Sequence, residues 1–298
     1  MDQRPTLIRR IALAATVATA CIVCLLVGLQ SGRNGDRLFR TVREIGRWIV
    51  PSAEYNTYGQ LIAYPGKREI PRPTITSRTM VAFVFGQSNS ANHGNEKFRA
   101  TSGAVANFWD GKYFAAEDPL LGASGKGGSV WTLMASRLIE AGTFDGAILI
   151  TAGSAATSVE AWTTGGSLNG MLEKRLAETR DAELTVTHFL WHQGESDNSA
   201  AGAAAYDAAM QPIIALTKRY FPQSKFFVAR ATICGQAASP NLELQKIQLG
   251  LARLPGVHAG PNTDEIGFAD RYDGCHLSGS GLAKHAAGWA AAIAAHPD

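Results

Sequence analysis

Four short apolar runs, set apart by stretches of helical period, leave this chain few folds to choose from. Residues 80–85, 146–151, 186–191 and 225–231 suit strands buried on both faces. Helix-like stretches occupy 129–141, 168–179, 200–220, 241–254 and 279–295. In the first of these, Val130, Leu133, Met134, Arg137 and Leu138 follow a 3–4 spacing. Strands separated by helices imply crossover connections and a mainly parallel sheet flanked on both faces. The fold class expected is α/β, a three-layer α/β/α sandwich with its active site at the carboxyl ends of the strands.

The first third of the chain reads differently. Residues 11–29 form an apolar run without a charge, preceded by Arg9 and Arg10. A helix of that length approaches the roughly 30 Å bilayer core, so a transmembrane signal anchor is expected there, with a cleaved signal peptide as the runner-up. A lipid attachment at Cys21 is poorly supported, because residues 22–29 are still apolar. The divisions are a basic segment 1–10, the anchor 11–29, a basic amphipathic juxtamembrane segment and linker 30–78, and a catalytic domain 79–298. Residues 1–72 carry eleven Lys/Arg against five Asp/Glu, so the rest is net negative although the whole chain is +3. No basic stripe with interleaved aromatics remains in the main domain, which argues against nucleic acid. A strict positive-inside count places the domain in the cytoplasm, because Arg33, Arg37, Arg40, Arg43 and Arg47 follow the span. Residues 37–50 also form a basic amphipathic face that suits anionic lipid on either side, and a periplasmic or extracellular domain is the reading adopted.

Three polar stretches fall where such a sheet places chemistry. "FGQSN" follows the first strand, "WHQGESD" follows the third, and "DGCH" precedes the last helix. Ser88 is a candidate nucleophile. Asp273, three residues before His276, can hold the imidazole Nδ1–H and leave Nε2 to take a proton from serine. Gln193 offers a side-chain amide donor, and Glu195 an additional carboxylate.

Taken together these blocks resemble the SGNH (GDSL-type) hydrolase superfamily, which is flavodoxin-like in fold, in its sialate O-acetylesterase-like branch that includes carbohydrate esterase family six. The resemblance covers about residues 79–295. It implies Ser88 as nucleophile, His276 as base and then acid, and Asp273 as its orienter. It further implies an oxyanion hole from the backbone N–H of Ser88, the amide of Gln193 and a backbone N–H in "TAGSAATSVEAW". There Ala155 and Ala156 replace the family's glycine pair. Ala156 can serve only if its φ is negative, and Gly153 is the alternative donor. Gln87, Asn89 and Glu195 are read as supporting residues. The reaction implied is removal of acetyl groups from an acetylated carbohydrate, without a cofactor. The alternatives are an O-acyltransferase acting on polysaccharide and a non-catalytic glycan-binding module.

Other signals compete with this reading. His188 and His192 with Glu195 suggest a metal site only weakly, since Phe189, Leu190 and Trp191 lie among them. "GASGKGGS" lacks the spacing of a phosphate loop. Cys234 and Cys275 can form one disulfide in an oxidising compartment, and remain two thiols otherwise. Trp109, Trp131 and Trp162 are candidates for stacking on sugar or for the core.

Overall fold

The computed structural model describes residues 52–235 and 239–296. The expected anchor at 11–29 and the amphipathic stretch at 37–50 lie outside the described residues. Among the described residues, no helix is long and apolar enough to cross a membrane.

The four apolar runs are strands of one eight-stranded sheet. These are β4 (Thr79–Gly86), β7 (Gly146–Thr151), β8 (His188–His192) and β9 (Lys225–Arg230). They pair in parallel in the order β9-β8-β4-β7, so β4 is flanked on both edges and all eight of its residues are buried. Four further strands were not expected. Val257–Asn262 (β10) extends the sheet in parallel beyond β9. It contains Gly260 and Pro261 and has no apolar run to betray it. Val105–Trp109 (β5) pairs in parallel with β7 and continues through a tight turn into Lys112–Ala115 (β6), which runs antiparallel. Asp110 and Gly111 both have positive φ, +49° and +73°, and an Asp-Gly pair is what such a turn prefers. Glu69–Ile70 (β3) closes the sheet antiparallel to β6. Residues read as linker thus supply an edge strand, and also a small antiparallel pair, β1 (Glu54–Tyr55) and β2 (Leu61–Ala63).

Among the described residues, five helices cover the two faces. Val130–Glu140 (α1) and Gly279–Ala294 (α5) pack on one face, where Met134, Leu138, Leu282 and Trp289 join Ala82, Val84 and Leu190 in one core. Asn169–Asp181 (α2), Ala200–Tyr220 (α3) and Leu242–Gly250 (α4) cover the other face, with Leu172, Leu176, Ile213 and Leu244 against Phe83, Phe85 and Phe189. Capping follows from sequence. Ser129, Ser199, Asn241 and Ser278 each accept a backbone N–H at a helix start, which satisfies a donor otherwise left open. The glycine-rich run at 122–129 is the approach to the α1 cap. Gly128 exchanges hydrogen bonds with Gly94, where any side chain would strike Glu96.

Candidate active site

β4 and β8 end side by side, and two polar turns grow from those ends. Gly86 faces His192 in register. A Cβ at residue 86 would lie 2.0 Å from the His192 carbonyl oxygen, and its φ is +126°, so only glycine permits the approach. Gln87 N–H then donates to His192 O at 3.0 Å, and the chain winds into a short 3-10 turn, Ser88–Ser90. Gln87 Oε1 accepts from Gly194 N and Ser196 N, which fastens the second turn to the first. Beneath them Trp131 Nε1 donates to Ser90 O at 2.8 Å. Ser88 is thereby held on a buried platform with only 4 % of its surface exposed.

The loop before α5 is more open. Asp273 Oδ1 accepts from the backbone N–H of Cys275 and of His276, at 2.9 and 2.7 Å. Its Oδ2 takes the His276 Nδ1–H at 2.6 Å, which leaves the Nε2 lone pair free. Burial pushes the Asp273 pKa up, but the hydrogen bonds from the His276 ring and the two amides outweigh it and hold the carboxyl below its usual value. A Cys234–Cys275 disulfide ties this loop to the segment after β9. Asn89 Nδ2 donates to Cys275 O at 3.4 Å. The residue after Ser88 therefore touches the residue before His276, and the serine turn and the base loop meet through these neighbours.

A buried polar chain runs under that junction. Asn89 Nδ2 also donates to Glu195 Oε1 at 2.8 Å, and His192 Nε2 does so at 2.9 Å. On its other side His192 Nδ1 faces His285 Nε2 at 3.2 Å, which already accepts from Trp289 Nε1 at 2.8 Å. Indole N–H can only donate, so Trp289 takes the His285 Nε2 lone pair, and His192 pairs with Glu195 on its other side. Burial pushes the Glu195 pKa up, yet the His192 charge and the hydrogen bonds from His192 and Asn89 bring it below the ordinary value. Burial holds the His285 imidazole neutral, far below its usual range.

Residues 79–294 match a family model described as carbohydrate esterase, sialic acid-specific acetylesterase. The chain belongs to this family. It is a carboxylic ester hydrolase, an acetylesterase that removes acetyl groups from carbohydrate. No functionally curated protein matches it. Solved structures share its fold at low identity. A protein from Arabidopsis thaliana is 19% identical over 74% of this chain and 99% of its own, with a TM-score of 0.62. NanS is 13% identical over 76% and 97%, with a TM-score of 0.53. A carbohydrate acetylesterase from Xanthomonas citri is 14% identical over 72% and 55%, with a TM-score of 0.50.

Three expectations for the oxyanion hole of this carbohydrate esterase change with the geometry. Gln193 is fully buried, and its amide is spent inside the protein on Gln87 Oε1, on Thr157 O and on a very short contact to Asp197 Oδ2. Two N–H groups already facing three acceptors have nothing left for a substrate oxygen, so Gln193 braces the loops instead. Gly153 lies between Ala152 and Ser154, whose N–H groups bond to Val84 O and Gly86 O on β4. Alternation along an extended chain turns the Gly153 N–H the other way. Its need for glycine is steric, because a Cβ would lie 2.9 Å from Ser90 O. Ala156 has φ +56°, not the negative angle expected. An alanine there costs about 1–2 kcal/mol, offset by the Thr157 hydroxyl donating to Ser154 O and by Ala155 N bonding to Ser124 Oγ.

The remaining expectations divide cleanly. Asn89 and Glu195 bond to each other as supports, and Gln87 joins the two turns. Trp131 and Trp162 are fully buried in the core of the esterase, whereas Trp109 is only half-buried. His192 is engaged by Glu195 and His285, and His188 packs on Phe227 at 5.8 Å. Among the described residues no group of three or more His, Cys, Asp or Glu is placed to hold a metal ion. His93 was missed. Its ring stacks on His276 with centroids 5.4 Å apart, and its Nε2 meets Ser124 Oγ at 3.0 Å. Burial, and then the neighbouring His276, lower its pKa to about 4 against a smaller opposing pull from Asp273. The only sequence signal for it was a histidine five residues beyond Ser88.

Proposed function

We propose that this acetylesterase works through a Ser88-His276-Asp273 triad and a covalent acetyl-enzyme. His276 Nε2 takes the Ser88 proton as Oγ attacks the ester carbonyl, and Asp273 holds the imidazole in the tautomer that permits this. The tetrahedral oxyanion is held by the backbone N–H of Ser88. The carbohydrate alkoxide leaves with the proton from His276, and water attacks the acetyl-enzyme by the reverse sequence. The observation that carries this reading is the 2.6 Å bond from His276 Nδ1 to Asp273, on a loop that touches the Ser88 turn through Asn89.

The disulfide supports placing the domain in an oxidising compartment, periplasmic or extracellular, and residues 11–29 would tether it to the membrane. The test is hydrolysis of 4-nitrophenyl acetate by the full chain beside three variants. Ser88→Ala and His276→Ala should each lower kcat by about 10⁴-fold or more, and Asp273→Asn by about 10³–10⁴-fold. A Ser88→Ala protein keeping more than about a tenth of the wild-type rate would remove Ser88 from the mechanism.

A further inference from the structure

We infer that the segment from Tyr55 to Tyr58, together with Trp109, forms a second glycan subsite that extends the esterase cleft along an uncharged carbohydrate chain. The inference rests on the carbohydrate esterase reading and adds to it where the rest of the chain binds. Asn56, Tyr58 and Trp109 line a cleft of about 370 Å³ at the carboxyl end of β5, on the end of the sheet where β4 presents Ser88, and Tyr55 is next to Asn56 in the chain. The cleft's outer wall, Glu54 to Ala63, lies before residue 79, where the family domain begins.

A chain of contacts joins the cleft to the catalytic histidine. Tyr55 Oη donates to Gly125 O at 3.5 Å. Gly125 packs so closely on His93 that a Cβ there would lie 2.8 Å from the His93 ring, and His93 stacks on His276. From Tyr55 the backbone runs to Tyr58, at most about 10 Å further on, on the lip of the cleft. Tyr55 and Tyr58 are 42% and 40% exposed, and a ring that is apolar in body and polar at its hydroxyl suits a half-wet binding surface. At the far end Trp109 is fixed by Arg175, whose guanidinium lies 4.3 Å over the ring and is itself held by Glu178 at 2.7 Å.

The polar groups select the ligand class. Arg175 and Lys174 both face Glu178, at 2.7 and 3.7 Å, while Glu54 and Asp110 line the same cleft. Three carboxylates against two cations give no positive field for an anionic sugar. Rings beside the second N–H of Asn56, whose first is spent on Gln60 Oε1, suit the apolar faces and equatorial hydroxyls of neutral sugars. Binding energy gathered there, remote from the ester, can be used to hold the acetylated residue against Ser88.

The test measures binding in the full-length Ser88→Ala protein, which removes turnover from the measurement. Acetylated xylose is compared with acetylated xylohexaose by calorimetry. The hexamer should bind at least about tenfold tighter, and Tyr58→Ala in the same background should bring the two affinities to within about twofold. Trp109→Phe, which keeps a ring beneath Arg175, should give an intermediate ratio. Equal affinity for monomer and hexamer overturns the subsite, as does a hexamer preference that survives Tyr58→Ala. Tighter binding of an oligomeric O-acetylated sialic acid than of xylohexaose overturns the neutral assignment. Failure of the esterase reading shows elsewhere, as wild-type protein that does not hydrolyse 4-nitrophenyl acetate.

Discussion

The two halves of the proposed triad are held by opposite means. Ser88 sits on a turn at the end of a fully buried strand, over a chain of buried hydrogen bonds through Asn89, Glu195, His192 and His285. Asp273 and His276 stand on a loop where their side chains are 40% and 22% exposed. Two backbone amides, ring stacking and one disulfide fasten that loop. The nucleophile is thus positioned by the same packing that makes the fold stable, whereas the base is positioned by local bonds that the fold does not otherwise require. Damage on the first side should remove stability and activity together, and damage on the second should remove activity in excess of stability.

The strongest attempt to break this contrast is Gly86→Ala. A Cβ 2.0 Å from a backbone oxygen in the middle of the sheet has nowhere to go, and the loss should exceed about 4–5 kcal/mol. Urea titration should find little or no folded protein, and an unchanged midpoint would refute the close approach of β4 and β8. The matching attempt on the other side is Cys234→Ser/Cys275→Ser. Releasing a link between residues 41 apart should cost about 4 kcal/mol on chain-entropy grounds. The variant should still fold, yet well below its melting temperature it should hydrolyse 4-nitrophenyl acetate about 10- to 100-fold more slowly, because the base loop is no longer located. Unchanged kcat in the folded variant would show that the hydrogen bonds suffice alone.

The smallest effect sharpens the contrast at His93, which stacks on His276 of the loop. Its pKa is lowered from 6.5 to about 4, so the folded protein keeps it neutral while the unfolded chain takes up a proton below 6.5. The unfolded state binds more protons between those values, and stability falls as pH drops from 6.5 to 4. His258 and His285 are lowered too and act in the same direction. Melting temperatures from pH 7 to pH 4.5 should decline less steeply in His93→Asn than in wild type. An identical decline would place the proton uptake elsewhere.

What the sequence made legible follows the same division. β4, β7, β8 and β9 were readable because strands buried on both faces must be continuously apolar, and their polar ends then stood out as Gln87, Ser88, Gln193 and Glu195. β5, β6 and β10 were hidden because Asn107, Lys112, Gly260 and Pro261 interrupt the pattern, though the Asp110-Gly111 turn was a usable signal. The direction in which an amide faces was not legible at all. Gln193 has the right chemistry for an oxyanion donor, but Thr157 O, brought in by tertiary packing, and Asp197, on the turn that follows, take its protons first. The left-handed angle at Ala156 was hidden for a different reason, since alanine itself disfavours it and only the surrounding hydrogen bonds impose it.

The contact between Asn89 and Cys275 spans 186 residues of chain. A ribosome adding about 5–20 residues per second needs roughly 10–40 s to pass from one to the other. For that interval the growing polypeptide carries the proposed nucleophile without the proposed base. On that reading the protein is silent throughout most of its own synthesis, and gains its chemistry only when a late loop arrives and docks on an early one.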